Sequence, residues 1–144
     1  METRINIKKV EPAAYEAMYG LEKYLSGTNI NPILLELIKM RASQINGCAF
    51  CLNIHSTDAR KIGETEQRLY LLNAWRETTL FTEEEKAVLA LTEEVTLISN
   101  HVSDATYSNA LKFFNEQDLA QVIMAIITIN AWNRIAIATK LMVD

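Results

Sequence analysis

The sequence predicts an all-α, single-domain protein, and three observations carry that prediction. Residues that cap helices recur at the head of apolar runs with helical spacing, while period-2 alternation appears only weakly, in "RINIKKV". Only four Gly and two Pro interrupt the 144 residues. A hydrophobic fraction of 49% can fill one core at that length.

Each helix has its own signals. The first opens at Pro12, where the missing N–H would be unpaired anyway, and closes near Ser26-Gly27. In the second, Asn31 caps and Pro32 leads; Ile33, Leu34, Leu37, Ile38 and Ile45 form its apolar side before the stop at Asn46-Gly47. The third starts at or near Cys48 and runs toward Ile62-Gly63, which sets Cys48 and Cys51 in its first turn. A fourth is expected over Glu64 to Trp75. The fifth starts with Thr82 and Glu85 at capping-box spacing, and Val88, Leu89, Leu91, Val95 and Ile98 supply its core face. Ser103-Asp104 opens a sixth.

Asn115 caps a long last helix carrying Leu119, Val122, Ile123, Ile126, Ile127, Ile129, Trp132, Ile135 and Ile137. It is apolar on nearly every face, more than one small chain can cover, so part of it is expected to pack against other subunits.

Composition narrows the function classes. With a net charge of −4, a pI of about 5.2 and its fourteen Lys and Arg scattered, the chain is not expected to bind nucleic acid. The opening "METRINIKKVEP" has no apolar block, and a cytoplasmic location is expected. The longest apolar stretch, Val122 to Trp132, spans eleven residues and includes Thr128 and Asn130, short of the roughly 20 a membrane span needs.

The chemistry concentrates in "INGCAFCLNIH". Residues three and four apart share a helix face, so Cys48, Cys51 and His55 form a row. Free N–H groups and the positive dipole end at a helix start favour a thiolate, and His55 can take a proton from Cys51. A thiolate that attacks a peroxide oxygen becomes a sulfenic acid, which a neighbouring cysteine converts to a disulfide. A histidine in such a role needs a group to orient it, and Glu36 is the only acid in the preceding helix. If the two helices fold back about Asn46-Gly47, position 36 lies opposite about position 57, roughly one turn from His55. Spacing leaves the order of the cysteines open. Cys48 lies nearer the helix end, as does the nucleophile in thioredoxin-like sites, whereas His55 follows Cys51 by one turn.

The pattern Glu36-x11-Cys48-x2-Cys51-x3-His55 resembles the signature of alkylhydroperoxidase AhpD-like proteins in the carboxymuconolactone decarboxylase superfamily. The surrounding "RASQINGCAFCLNIHSTDARKIGETEQRLY" and "INAWNR" are similar to small members of that group from about Asn31 onward. The resemblance implies that residues 1–144 form one AhpD-like helical bundle, with the CxxC at the N-terminus of a central helix, assembling as a trimer or hexamer. It further implies a peroxidase in which Cys51 attacks the hydroperoxide, Cys48 resolves the sulfenate, and His55 with Glu36 relays the proton. No metal or flavin is implied. The electron donor would be an external dithiol, such as the lipoylated adaptor that serves in the family. The best-studied members have a histidine just before the second cysteine, where this chain has Phe50; one proton-transfer group is missing.

Other readings of the same residues are packing of small buried cysteines, and zinc held by Cys48, Cys51, His55 and Glu36. A non-catalytic redox-sensing or metal-binding oligomer and a lactone decarboxylase are the competing functions. His101, in "SNHVSD", reads as an exposed loop residue, and Tyr70, Trp75 and Trp132 as core or interface packing. Arg134 suits a carboxylate at a subunit boundary.

Overall fold

The computed structural model describes residues 2–143, and among them all regular structure is helical. A short helix α1 (Ile7–Val10) precedes α2 (Pro12–Ser26), so "RINIKKV" forms no strand; Asn6 caps it by accepting from Lys9 N. Then come α3 (Pro32–Asn46), α4 (Ala49–Lys61), α5 (Glu66–Tyr70), α6 (Glu83–Thr96), α7 (Asp104–Ala110) and α8 (Glu116–Thr139). The predicted caps are in place. The Asn31 side chain accepts from Ile33 N, Thr82 and Glu85 form a reciprocal capping box, and Ser103 and Asn115 cap α7 and α8.

The centre of the bundle is α3, packed against α4, α6 and α8. Its Leu34, Ile38 and Ala42 join Val88 and Leu91 of α6 and Leu119, Val122, Ile126 and Ile129 of α8 in one core. Its Leu37 and Met40 turn the other way, into a second cluster with Leu69, Leu72, Trp75, Phe81 and Leu89. With both sides engaged, α3 is a fixed platform for whatever it carries toward α4.

The expected helix over Glu64 to Trp75 is broken. After α5 the chain tightens into a 3-10 segment, Leu72–Glu77, with a non-helical kink at Ala74. Leu69, near the end of α5, and Leu72 and Trp75 beyond it are buried at intervals of three, a spacing that suits the 3.0-residue turn of a 3-10 helix as well as an α-helical stripe. Tyr70, expected in the core or at an interface, is not in the core of the chain: it lies 73% exposed. Ile98 also departs from expectation: α6 ends at Thr96, and Ile98 sits exposed in a short 3-10 turn.

By length and composition α8 could cross a membrane, a longer apolar window than Val122 to Trp132 alone suggests. Half of that window is buried inside the domain, however, and its inner face carries hydrogen-bonded Thr128, Asn130 and Asn133. It serves here as a core helix. Ile127 and Ile137 on its outer side remain exposed.

Candidate active site

The turn between α3 and α4 sets the cysteines. Gly47 ends α3 in the left-handed region, φ 69°, where a side chain would be strained, and Cys48 N then donates back to Ser43 O at 3.0 Å. Cys48 thereby becomes the N-cap of α4, its Sγ accepting from Cys51 N at 3.3 Å. Cys48 and Cys51 are joined in a disulfide and are only 1% and 4% exposed.

Three asparagines hold this turn to α8. Asn46 Nδ2 donates to Asn130 Oδ1 and Asn133 Oδ1, both at 2.9 Å, while Asn133 Nδ2 donates to Ser43 Oγ at 3.0 Å. Asn130 Nδ2 in turn reaches Thr96 Oγ1. A buried polar group costs stability unless bonded, and these satisfy one another where α3 ends. Arg134 bonds its own helix, at Asn130 O and Oδ1, rather than a carboxylate of the described residues.

One helical turn beyond Cys51, His55 Nδ1 lies 3.2 Å from Glu36 Oε2, the fold-back that the spacing suggested. Lys39 Nζ lies 3.5 Å from the other oxygen. Burial pushes the Glu36 carboxyl up, but the His55 hydrogen bond and the Lys39 charge outweigh it and hold the group below the usual carboxylate range. An ionised Glu36 only accepts, so the proton of this contact belongs to Nδ1, and a neutral imidazole keeps its lone pair on Nε2.

Cys51 and His55 open on a cavity of about 410 Å³ walled by Tyr15 and Tyr19 of α2, Phe50 and Ile54 of α4, and Trp132 and Ile135 of α8. Lys39, Glu22 and Asp58 supply its polar groups. Cys48 is not in that wall. It borders a separate groove of about 380 Å³ with Gly47, Ile137, Lys140 and Met142, and Phe50, Ala136 and Leu141 stand between the two.

In this oxidised form the sulfurs are bonded to each other and offer no thiolate to zinc. A different trio, Glu36, His55 and Asp58, brings an imidazole and two carboxylates within 4.8 Å of one another and could hold a cation, although Glu36 and His55 already satisfy each other. His101 lies exposed in a loop, as expected, with φ 62°. Trp75 is core, whereas Trp132 is a cavity wall whose Nε1 donates to Glu22 Oε1 at 2.9 Å. Tyr15, Tyr19, Glu22, Lys39 and Asp58 also line the site, although no motif in the sequence marks them.

The sequence pattern of the carboxymuconolactone decarboxylase family matches residues 12–94, from the start of α2 through most of α6. The chain belongs to that family. Within it the protein is AhpD-like. A crystal structure of an Agrobacterium tumefaciens protein of unknown function, provisionally ascribed to antioxidant defence as an AhpD, superposes with a TM-score of 0.96 at 36% identity, over 99% of both chains. YdfG, an uncharacterized Bacillus subtilis protein, is 45% identical over 139 residues, 96% of this chain and 95% of its own. A debrominase solved with a tribromopyrrole has the same fold, with a TM-score of 0.80 at 18% identity over 93% of this chain and 72% of its own. At that identity the likeness is one of fold alone.

Proposed function

We propose that this AhpD-like protein is a thiol-dependent peroxidase that reduces hydroperoxides through a Cys48–Cys51 disulfide cycle. The observation that carries the reading is the shared cavity wall: Cys51 and His55 face one chamber, with the imidazole oriented by an ionised Glu36, while Cys48 is bonded to Cys51 from outside that chamber.

In the reduced enzyme, His55 Nε2 takes the Cys51 proton. The thiolate attacks the hydroperoxide ROOH, the O–O bond breaks, and Cys51 becomes a sulfenic acid while the alkoxide leaves as ROH with the proton held on His55. Cys48 then attacks Cys51 Sγ, and the hydroxyl leaves as water with the Cys48 proton. An external dithiol donates two electrons and two protons to reopen the disulfide, becoming a disulfide itself. A lipoylated protein has the right chemistry for this donor, and the cycle uses neither metal nor flavin.

The same reading includes a homo-oligomer, a trimer or hexamer. It is supported by an apolar groove of about 620 Å³ between α6, α7 and the outer side of α8, lined by Val95, Ile98, Tyr107, Ile123 and Ile127. A sedimentation mass of one chain, 16.3 kDa, at micromolar concentration would refute the assembly.

The activity is tested by stopped-flow consumption of tert-butyl hydroperoxide by chelator-treated protein with excess dihydrolipoamide. Sustained turnover, lost in Cys51→Ser, is expected. A single slow oxidation without turnover would instead indicate a redox sensor, and lactone decarboxylation surviving in Cys48→Ser/Cys51→Ser would indicate the family's namesake chemistry.

A further inference from the structure

We infer that the chamber at Cys51 is built for an uncharged aromatic hydroperoxide, and that Tyr15, Tyr19 and Trp132 are its specificity-determining residues; this rests on the proposed peroxidase site.

The three rings form a continuous wall. Tyr15 meets Trp132 edge-on at 5.4 Å between centroids and 72° between planes, Tyr15 meets Tyr19 at 5.9 Å and 81°, and Tyr19 is tilted at 43° to Trp132, 6.1 Å away. Such a set offers both ring edges and faces, the two partners that an added aromatic group packs against most favourably. Glu22 fixes Trp132 in place through the 2.9 Å bond to Nε1. A volume of about 410 Å³ lies in the range of small-ligand sites and far exceeds what hydrogen peroxide would fill.

Charge points to a neutral substrate. Among the described lining residues the one lysine, Lys39, already pairs with Glu36; of the two carboxylates, Asp58 pairs with Lys61 at 3.7 Å, whereas Glu22 is met only by the neutral Trp132 Nε1. An anionic fatty-acid hydroperoxide would find no free lysine in that lining and would bring its carboxylate toward Glu22. A neutral aryl hydroperoxide meets no such penalty: its O–O group lies at Cys51 and its ring against the aromatic wall. The reaction consumes ROOH and two electrons from the dithiol and releases the aryl alcohol and water, as in the cycle above.

Two measurements test this. The first compares kcat/KM for cumene hydroperoxide, hydrogen peroxide and linoleic acid hydroperoxide in the wild type and Tyr19→Ala. Tyr19 is 40% exposed, so its truncation spares the core. The second titrates the disulfide form calorimetrically with 2-phenyl-2-propanol, the unreactive alcohol product. Cumene hydroperoxide is expected to be preferred at least about tenfold over both others, and Tyr19→Ala to cut its advantage over hydrogen peroxide about three- to tenfold. The alcohol is expected to bind, more weakly to Tyr19→Ala. Equal or better use of hydrogen peroxide or of the linoleate, or an advantage unmoved in a folded Tyr19→Ala, overturns the inference while leaving the peroxidase reading intact. If no hydroperoxide is turned over, the peroxidase reading falls and the alcohol decides: binding weakened by Tyr19→Ala upholds the aromatic chamber, and no binding overturns it.

Discussion

Replacing Glu36 with glutamine is expected to invert the His55 tautomer and thereby remove the base. In the native site the two Glu36 oxygens have different partners, His55 Nδ1 at 3.2 Å and Lys39 Nζ at 3.5 Å, and the carboxylate accepts from both. A glutamine has one acceptor and one donor end. The ammonium of Lys39 can only donate, so the amide oxygen turns toward it and the amide NH2 turns toward His55 Nδ1. Nδ1 must then accept, and the imidazole proton moves to Nε2, the nitrogen that has to receive the Cys51 proton. Loss of a positioned base costs on the order of 10²- to 10⁴-fold, or about 3–5 kcal/mol of barrier. The assay is dihydrolipoamide-dependent turnover of an organic hydroperoxide at pH 7, with nitrogen NMR shifts of His55 read in parallel. The decisive comparison is the double variant Glu36→Gln/Lys39→Met. Without the ammonium nothing anchors the amide oxygen, the amide can flip, and Nδ1 regains its proton, so the double variant should recover about tenfold over the single one. Turnover of Glu36→Gln within threefold of wild type, or a double variant slower than the single, would refute the reasoning.

Acid sensitivity follows from Glu36 and Glu93. Burial raises the Glu93 carboxyl, but Arg76, Trp75 and Arg41 donate to it at 2.6, 2.7 and 3.0 Å and hold it below its ordinary value. A folded-state value below the unfolded one stabilises the fold above the ordinary carboxylate range and is lost as pH falls through the depressed value; urea midpoints should therefore decline below about pH 4.5, less steeply in Glu93→Gln. Asn133→Ala would remove two buried hydrogen bonds, leaving Asn46 Nδ2 only Asn130 Oδ1 and Ser43 Oγ only Lys39 O, and should cost about 1–3 kcal/mol by urea denaturation. At Gly47, φ 69° with nothing within 4 Å of an added Cβ, alanine should cost only its conformational strain, about 1 kcal/mol, by the same measurement.

The parts of the site legible in the sequence are those fixed by local rules. Helical spacing alone puts Cys48, Cys51 and His55 in a row, and the fold-back about Gly47 brings Glu36 opposite because two antiparallel helices rise by the same 1.5 Å per residue. The chamber was not legible, since its walls join residues 15–19 to residue 132 and no periodicity encodes which faces of α2 and α8 meet. The asparagine network left a signal that could have been followed: Asn130 and Asn133 interrupt an apolar run three apart, on one face, where buried polar groups must find partners. In the Leu72–Glu77 segment the sequence misled, because residues 69, 72 and 75 fit both a helical stripe and the tighter 3-10 period, and only the packing against Leu37 and Leu89 selects between them.

Phe50 ties these strands together. Where well-studied relatives carry a histidine, this chain has an apolar ring packed with Cys48, Cys51 and Ala136 and set between the chamber and the groove. Burial of this kind raises a thiol's pKa and works against a reactive thiolate. What opposes it is the start of α4, whose free N–H groups favour the anion, and, in the proposed cycle, His55 as the acceptor of the proton. With residue 50 unable to share that transfer, and with no other histidine near the sulfurs among the described residues, the proposed cycle rests the whole of it on the Glu36–His55 pair. A site with two histidines would retain a second route after Glu36 is altered. This one does not, which is why the tautomer at His55 should decide between a working peroxidase and an inert disulfide.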